Sequence, residues 1–229
     1  MRRVLSFIFG WCFIIVCVVF SIKSTALNPD FYIPKYEEME LASDIGVSKK
    51  DLNQSIRLLL NYLDDKRNDI KGHITWYGVS QETFNEKETS HMVDVKALYQ
   101  NALKVAKVAF IILVLIVLYF YLNDKTWMFA YLSKGFLTAM FTFILMLVFF
   151  GFWILTDFTS FWTWFHTIFF SNQLWLLDPN TDFMICMLPE TIFYKLVLTC
   201  VIKVVLSSVL ASILAIYYMV KKAPIGFER

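Results

Sequence analysis

Two of the three histidines in this 229-residue chain lie in surroundings that suit proton transfer. His91 belongs to residues 88–96 (ETSHMVDVK), and His166 belongs to residues 164–170 (WFHTIFF). The unperturbed pKa of imidazole is near neutrality, so a histidine can both accept and donate protons at physiological pH. Asp94 follows His91 by three positions, which places both on one helical face, where a carboxylate can fix the imidazole tautomer. We predict His91 and His166 as catalytic residues, with Asp94 supporting His91.

Each of these residues also has a structural explanation. An acid and a base are common at a solvated helix start, and a histidine among aromatic residues can simply bond water or a carbonyl. The catalytic interpretation depends on the two histidines occurring together, because both histidine segments flank the same predicted membrane face. His73 is interpreted as a loop residue, and Lys203 as a side chain that extends from a span to the lipid headgroups. Either a structural or an assisting role is open to Asp178, Asp182 and Glu190.

The composition is that of an integral membrane protein. Hydrophobic residues make up 58% of the chain, aromatic residues make up 18%, and the mean hydropathy is +0.58, all above the values of a soluble domain. We predict an all-α membrane protein with four transmembrane helices, a small extracytoplasmic cap (a helix plus a short strand or hairpin) and an aromatic interfacial segment. The predicted segments are span 4–22, the cap and its lead into the second span 23–102, span 103–122, a cytoplasmic loop 123–135, span 136–155, the extracytoplasmic interfacial segment 156–195, span 196–220 and a cytoplasmic tail 221–229.

Basic residues are concentrated on one side of the four spans. The predicted cytoplasmic faces carry seven basic residues against two acidic ones, namely Arg2, Arg3, Lys125, Lys134, Lys221, Lys222 and Arg229 against Asp124 and Glu228. The outer segments are acidic, with nine Lys/Arg against thirteen Asp/Glu in residues 24–103 and one against four in residues 156–195. Because Lys and Arg favour the cytoplasmic side, both termini are predicted to be cytoplasmic and both histidine segments extracytoplasmic.

The first span has a second interpretation, as a cleaved signal peptide. A basic start, an apolar run and residues 24–26 (STA) fit that interpretation. The apolar run is longer than the roughly 7 to 15 residues of a signal h-region, and cleavage would leave an odd number of spans. We therefore expect the first span to be retained.

The two outer segments carry local signals of structure. Ser48 and Asp51 form a capping-box-like start, and apolar side chains then recur at helical spacing, which predicts a helix over residues 49–64. Residues 74–77 (ITWY) lie between glycines and predict a short strand or hairpin arm. Eight aromatic residues between 158 and 175 favour the headgroup level of a membrane, so this stretch is predicted to lie partly immersed at the interface.

Several classes of function lack support in the sequence. No GxSxG, HExxH, P-loop or GxGxxG motif is present, which argues against serine hydrolases, zincins and nucleotide-dependent enzymes. Only Cys186 lies outside the spans, so a disulfide framework is excluded, and a structural zinc site is disfavoured without a CxxC motif. The outer basic residues form no aromatic-interleaved stripe that would bind nucleic acid. We predict no cofactor and no metal.

Four short motifs occur in a fixed order among the four spans. They are residues 88–96 (ETSHMVDVK), 165–170 (FHTIFF), 175–182 (WLLDPNTD) and 187–190 (MLPE). As a set, and over nearly the whole chain, they resemble the lipoprotein intramolecular transacylase family, Lit, of Gram-positive bacteria. The resemblance implies that the two essential histidines of the family correspond to His91 and His166.

The resemblance also implies a reaction and a place in the cell. Family members move the sn-2 acyl chain of a diacylglyceryl-modified N-terminal cysteine to the α-amine of the same cysteine, which gives a lyso-form lipoprotein. The implied partners are diacylglyceryl-modified lipoproteins and membrane lipid, the implied location is the bacterial plasma membrane, and the chain is expected to act as a monomer. We expect one histidine, preferably His166, to act as base and the other, His91, to assist the leaving oxygen or the oxyanion. The roles can also be exchanged, and an acyl-histidine intermediate is a further alternative.

Two other functions remain open from the sequence. A lipid-surface esterase or hydrolase would use the same histidines to activate water, and it would release free fatty acid. A non-enzymatic lipoprotein-binding or immunity-type membrane protein would bind a partner through the cap, and histidine substitution would leave its function intact.

Overall fold

A computed structural model describes residues 1–223 of the chain. Its elements are α1 (Arg2–Ala26), α2 (Pro29–Glu38), α3 (Leu41–Asp44), α4 (Lys49–Leu63), β1 (His73–Trp76), β2 (Val79–Glu82), α5 (Glu86–Asn123), α6 (Met128–Thr156), α7 (Phe158–Phe169), α8 (Phe183–Met187) and α9 (Glu190–Lys221). Most of the predicted tail 221–229, including Glu228 and Arg229 of the charge count, lies outside the described residues.

Among residues 1–223, four helices are long and apolar enough to cross a membrane, namely α1, α5, α6 and α9. The predicted class, an all-α protein with four transmembrane helices and one small hairpin, is confirmed. The chain divides into two compact units. The membrane unit comprises residues 1–21, 102–157 and those from 200 onward, and the cap unit comprises residues 22–101 and 158–199.

Close packing of α1 on α6 organises the membrane unit. A Cβ atom added to Gly10 would lie 2.6 Å from the Cβ of Ala139, and one added to Gly135 would overlap the backbone of Ser6. Small residues at these positions let the two helix backbones approach closely, as is common between membrane helices. The apolar side chains around this contact are buried and include Ile14, Phe136, Ala139, Met140 and Phe143.

The amphipathic helix α4 lies at the centre of the cap unit. The predicted cap of this helix is present, because Ser48 Oγ accepts a hydrogen bond from the Asp51 N–H at 3.0 Å. Leu52 and Ile56 of α4 are fully buried, and they belong to the same apolar core as Phe183. The core therefore joins residues from both outer segments of the chain.

The predicted strand at residues 74–77 is one arm of an antiparallel hairpin. β1 pairs with β2, and Trp76 lies opposite Val79. The two turn residues Tyr77 (φ 47°) and Gly78 (φ 82°) both have positive φ, which is the requirement of a type I′ hairpin turn. The Trp76 indole donates to the Ile45 carbonyl at 2.8 Å and so fastens the hairpin to the C-terminal end of α3.

Candidate active site

The start of α5 is fixed by a reciprocal capping box that precedes His91 by one turn and a half. The Asn85 N–H donates to Glu88 Oε2 at 2.7 Å, and the Glu88 N–H donates to Asn85 Oδ1 at 3.0 Å. This pattern satisfies two of the free N–H groups at a helix start. The spacing Asn-x-x-Glu at residues 85–88 is the sequence signal of such a box.

The same cap ties α5 to the turn before α8. Glu88 Oε1 accepts from the Met184 N–H at 2.5 Å, and the carboxylate of Asp182 accepts from Asn85 Nδ2 at 2.8 Å and from Lys87 Nζ at 3.2 Å. Burial raises the pKa of Glu88 to about 7, although the N–H groups of Met184 and Asn85 oppose the shift. Asp182 therefore helps to hold the start of α5, the helix that carries His91, and this contact fits the structural role left open for Asp182.

His91 lies on α5 with its ring turned into the cap unit. The side chain is 5% exposed, and its ring centroid is 6.1 Å from that of His166. Within residues 1–223, Nδ1 of His91 is buried and has no hydrogen-bond partner. Burial, together with the nearby His166, lowers the pKa of His91 to about 4, and Asp94 opposes the shift.

His166 lies in the last turn of α7, a helix that the sequence analysis did not resolve within the aromatic segment. Nδ1 of His166 lies 2.8 Å from the Trp162 carbonyl. Because a carbonyl only accepts, Nδ1 of a neutral His166 carries the hydrogen and Nε2 carries the lone pair. Burial lowers the pKa of His166, and the bond to Trp162 partly offsets the shift.

Four aromatic rings surround His166. The Trp162 centroid is 4.8 Å away with its ring at 75° to the imidazole, and the Trp175 centroid is 4.9 Å away at 30°. Phe165 and Phe170 follow at 5.6 and 5.5 Å. The edge of Phe170 also meets His91, at 5.1 Å between centroids, so one aromatic side chain contacts both histidines.

Asp94 makes a contact different from the one expected. Its Oδ2 accepts a hydrogen bond from Asn172 Nδ2 at 2.8 Å, whereas Nδ1 of His91 has no partner among the described residues. The carboxylate acts on His91 through its charge alone, which raises the pKa of the imidazole against the effect of burial. The residue that Asp94 holds in place is Asn172.

Two cavities of the cap unit lie apart from this histidine pair. One of about 420 Å³ is lined by residues that include Tyr36 and Leu52, and one of about 340 Å³ is lined by Arg57, Lys71 and His73 among others. Neither is lined by His91 or His166. His73 is exposed in β1, as its interpretation as a surface residue implies.

A model of one protein family matches residues 7–193, the greater part of the chain, and it describes the lipoprotein intramolecular transacylase Lit. This chain belongs to that family. Members of the Lit family are acyltransferases, so the non-enzymatic alternative is set aside.

Solved structures of a Lit protein share this fold. The in meso structure of the membrane-integral lipoprotein intramolecular transacylase Lit from Bacillus cereus has a TM-score of 0.75 at 22% identity and covers 97% of each chain. A second structure of that protein, with a histidine-to-arginine substitution, has a TM-score of 0.72 at 18% identity and covers 97% of this chain and 93% of the other. No curated protein sequence matches the chain. With its four apolar helices, this member of the Lit family is a multi-pass membrane protein.

In this member of the Lit family, the imidazoles of His91 and His166 lie close together, with their ring centroids 6.1 Å apart. Both imidazoles are buried, and burial favours their neutral forms. A neutral imidazole has one nitrogen that accepts a proton and one N–H that donates a hydrogen bond. Two such rings can therefore act as a base toward one atom and as a donor toward another.

Proposed function

We propose that this transacylase moves the sn-2 acyl chain of a diacylglyceryl-modified cysteine to the α-amine of the same cysteine. The observation that carries the proposal is the pairing of two buried imidazoles from distant parts of the chain, with their ring centroids 6.1 Å apart. In the reaction a bond forms between the amine nitrogen and the acyl carbon, and the bond between that carbon and the sn-2 oxygen breaks. One proton leaves the nitrogen and one arrives on the oxygen, so no oxidant, activated donor or cofactor is needed.

His166 is the base in this proposal. The Trp162 carbonyl holds the hydrogen on Nδ1, which leaves Nε2 to accept the amine proton. His166 also lies in the last turn of α7, where the negative end of the helix dipole favours an imidazolium. His91 donates a hydrogen bond to the oxyanion or to the leaving sn-2 oxygen.

The covalent link between amine and ester supports a cofactor-free mechanism. Both reacting groups belong to one molecule, so much of the entropy cost of bringing them together is already met. The enzyme has to hold them in attack geometry and move a proton, and each positioned proton transfer typically contributes about 10² to 10⁴ in rate.

The proposed location of the reaction is the outer face of the bacterial plasma membrane. The loop between α5 and α6 carries Lys125 and Lys134, whereas the cap unit comes from the two acidic outer segments. Under the rule that basic loops stay inside, the chain has cytoplasmic termini and an extracytoplasmic site. Diacylglyceryl-modified lipoproteins reach the site from the lipid.

Removal of either histidine is the first test. We expect His91→Ala and His166→Ala each to lower the rate at which a synthetic diacylglyceryl lipopeptide becomes the N-acyl lyso form by at least about 10²-fold. The measurement is mass spectrometry of products from purified protein in detergent. His73→Ala is the matched control, because it removes an exposed histidine of the same unit and should leave the rate unchanged.

The products separate the remaining alternatives. Transfer conserves acyl mass on the lipopeptide, whereas a hydrolase releases free fatty acid and an acyl-histidine intermediate leaves acylated enzyme. Wild-type turnover in either histidine variant contradicts the proposed pair. A monomer with both histidines in one chain further predicts that co-expression of the two inactive variants restores no activity.

A further inference from the structure

We propose that Asp94 and Asn172 position the Trp175 indole against His166, and that the indole face stabilises the imidazolium formed when His166 takes the amine proton. This inference rests on the proposed role of His166 as base. It gives Asp94 a positioning role toward the base, in place of the role toward His91 that the sequence suggested.

Trp175 presents its ring to His166 in a nearly parallel arrangement. The centroids are 4.9 Å apart and the planes differ by 30°, whereas Trp162 approaches the same imidazole at 75°. A cation within about 6 Å of an aromatic face is attracted by the ring quadrupole, and tryptophan gives the strongest such attraction. The imidazole is 8% exposed, so water screens little of this attraction. A neutral His166 gains little from it, so the contact favours the protonated state that the reaction creates.

A short chain of hydrogen bonds holds Trp175 in this orientation. The Trp175 Nε1–H donates to the Asn172 carbonyl at 3.0 Å, and the Asn172 side chain accepts from the Leu174 N–H at 3.0 Å. Nδ2 of the same asparagine donates to Asp94 Oδ2 at 2.8 Å. Residues 170–182 contain no helix or strand, so these bonds replace regular structure as the support for the indole.

The anchor of this chain lies on the helix that carries His91. Asp94 is three residues after His91 on α5, and α7 carries His166. Asn172 therefore links the indole that faces one histidine to the helix that holds the other. What the contact requires from position 94 is an acceptor oxygen, which an asparagine side chain also supplies.

The proton balance of the reaction is unchanged by this contact. The amine proton passes to Nε2 of His166 as the bond between nitrogen and acyl carbon forms, and it is released to the sn-2 oxygen as the bond to that oxygen breaks. The indole raises the affinity of His166 for the proton during that interval, which compensates for the effect of burial on the neutral enzyme.

The experiment replaces Trp175 by tryptophan with one, two or three ring fluorines, which weaken the quadrupole and keep the shape and the Nε1–H. We expect the logarithm of kcat to fall steadily with fluorination, Trp175→Phe to lower kcat roughly 3- to 10-fold, and KM to stay constant. The same series at Trp164, which lies on α7 with its ring beside that of Phe161, is the control and should be flat.

A second arm tests the anchor. Asp94→Ala and Asn172→Ala should each lower kcat roughly 2- to 5-fold, with little further loss when combined with Trp175→Phe, because all three act through one contact. Asp94→Asn should recover most of the activity that Asp94→Ala loses. If Asp94→Asn is as damaging as Asp94→Ala, the carboxylate charge acts on His91 and the positioning role is overturned.

The two proposals fail in different ways. A flat fluorination series at Trp175, with His166→Ala still inactive, overturns the indole contact and leaves His166 as the base. Turnover in His166→Ala overturns the proposed function itself, whatever the response at Trp175.

Discussion

The protonation states of single residues set the conditions under which this transacylase works. Burial lowers the pKa of His91 to about 4 and lowers that of His166 as well, so both are neutral in water near neutral pH. Because these pKa values are depressed, the proposed base becomes protonated only when the pH falls toward the pKa of His166 in the folded protein. The amine of the substrate has a reference pKa near about 8 and must be neutral to attack.

The pH dependence of kcat/KM should therefore report the substrate amine. Between about pH 6 and 9.5 we expect a one-proton rise whose midpoint equals the pKa of the lipopeptide amine, because kcat/KM reports ionisations of free enzyme and free substrate. The amine is titrated separately by NMR in the same detergent. A second one-proton change in kcat/KM near pH 6.5, the usual pKa of histidine, would show that the imidazoles are not shielded from water.

Some secondary-structure elements were visible in the sequence and others were not, for physical reasons. Helix α4 was predictable from a Ser cap and regular apolar spacing, and the hairpin from β-branched and aromatic residues between glycines. Helix α7 was not predicted, because its aromatic residues were interpreted only as a sign of the membrane interface, although Phe158, Phe161 and Phe165 recur at helical spacing. The pairing of His91 with His166 was expected from the membrane faces, whereas the contact of Asp94 with Asn172 joins residues 78 positions apart that no local spacing relates.

At the start of α5, Glu88 should contribute to both stability and activity. Glu88→Ala leaves the N–H groups of Met184 and Asn85 without their acceptor, and the buried Met184 N–H alone should cost about 1 to 3 kcal/mol. It also frees the helix start that carries His91, so kcat should fall. Glu88→Gln keeps one accepting oxygen and should lose less, as measured by chemical unfolding in detergent and by turnover.

The pH dependence of the same variants checks the protonation of Glu88. Burial raises its pKa to about 7 in the folded protein, above the ordinary value of 4.5, so its contribution is full below about pH 4.5 and is lost as the pH rises through 7. The stability of the wild type should fall relative to Glu88→Gln between pH 5 and 8. An unchanged difference across that range contradicts the raised pKa.

The contact between α1 and α6 allows a matched pair of glycine substitutions within one helix. Gly135→Ala places a methyl group against the backbone of Ser6, and we expect a loss of about 1 to 3 kcal/mol. A Cβ at Gly151 meets nothing within 4 Å, so Gly151→Ala should be neutral or slightly stabilising. Thermal unfolding in detergent compares the two, and equal effects would show that α1 does not pack on α6 at Gly135.

For the whole molecule, the two compact units differ in content: the apolar spans form one unit, and both histidines belong to the other. The membrane unit has no part in the histidine pair, and its helices present many large apolar side chains on their exposed surfaces. The cap unit holds both histidines and draws them from separate outer segments of the sequence. Both histidines are buried within the cap unit, so the proposed proton transfers take place away from bulk water.

The proposed orientation in the membrane can be tested by labelling two exposed positions, one in each unit. In a background without the four native cysteines, Ser80→Cys lies on the hairpin of the cap and Thr126→Cys lies in the loop between α5 and α6, and both positions are exposed. With cytoplasmic termini, a membrane-impermeant maleimide added to intact cells should label Ser80→Cys and leave Thr126→Cys unlabelled until the cells are broken. Labelling of Thr126→Cys in intact cells, with Ser80→Cys protected, would place the histidine pair in the cytoplasm, where the proposed lipoprotein substrate would not meet it from the outer leaflet.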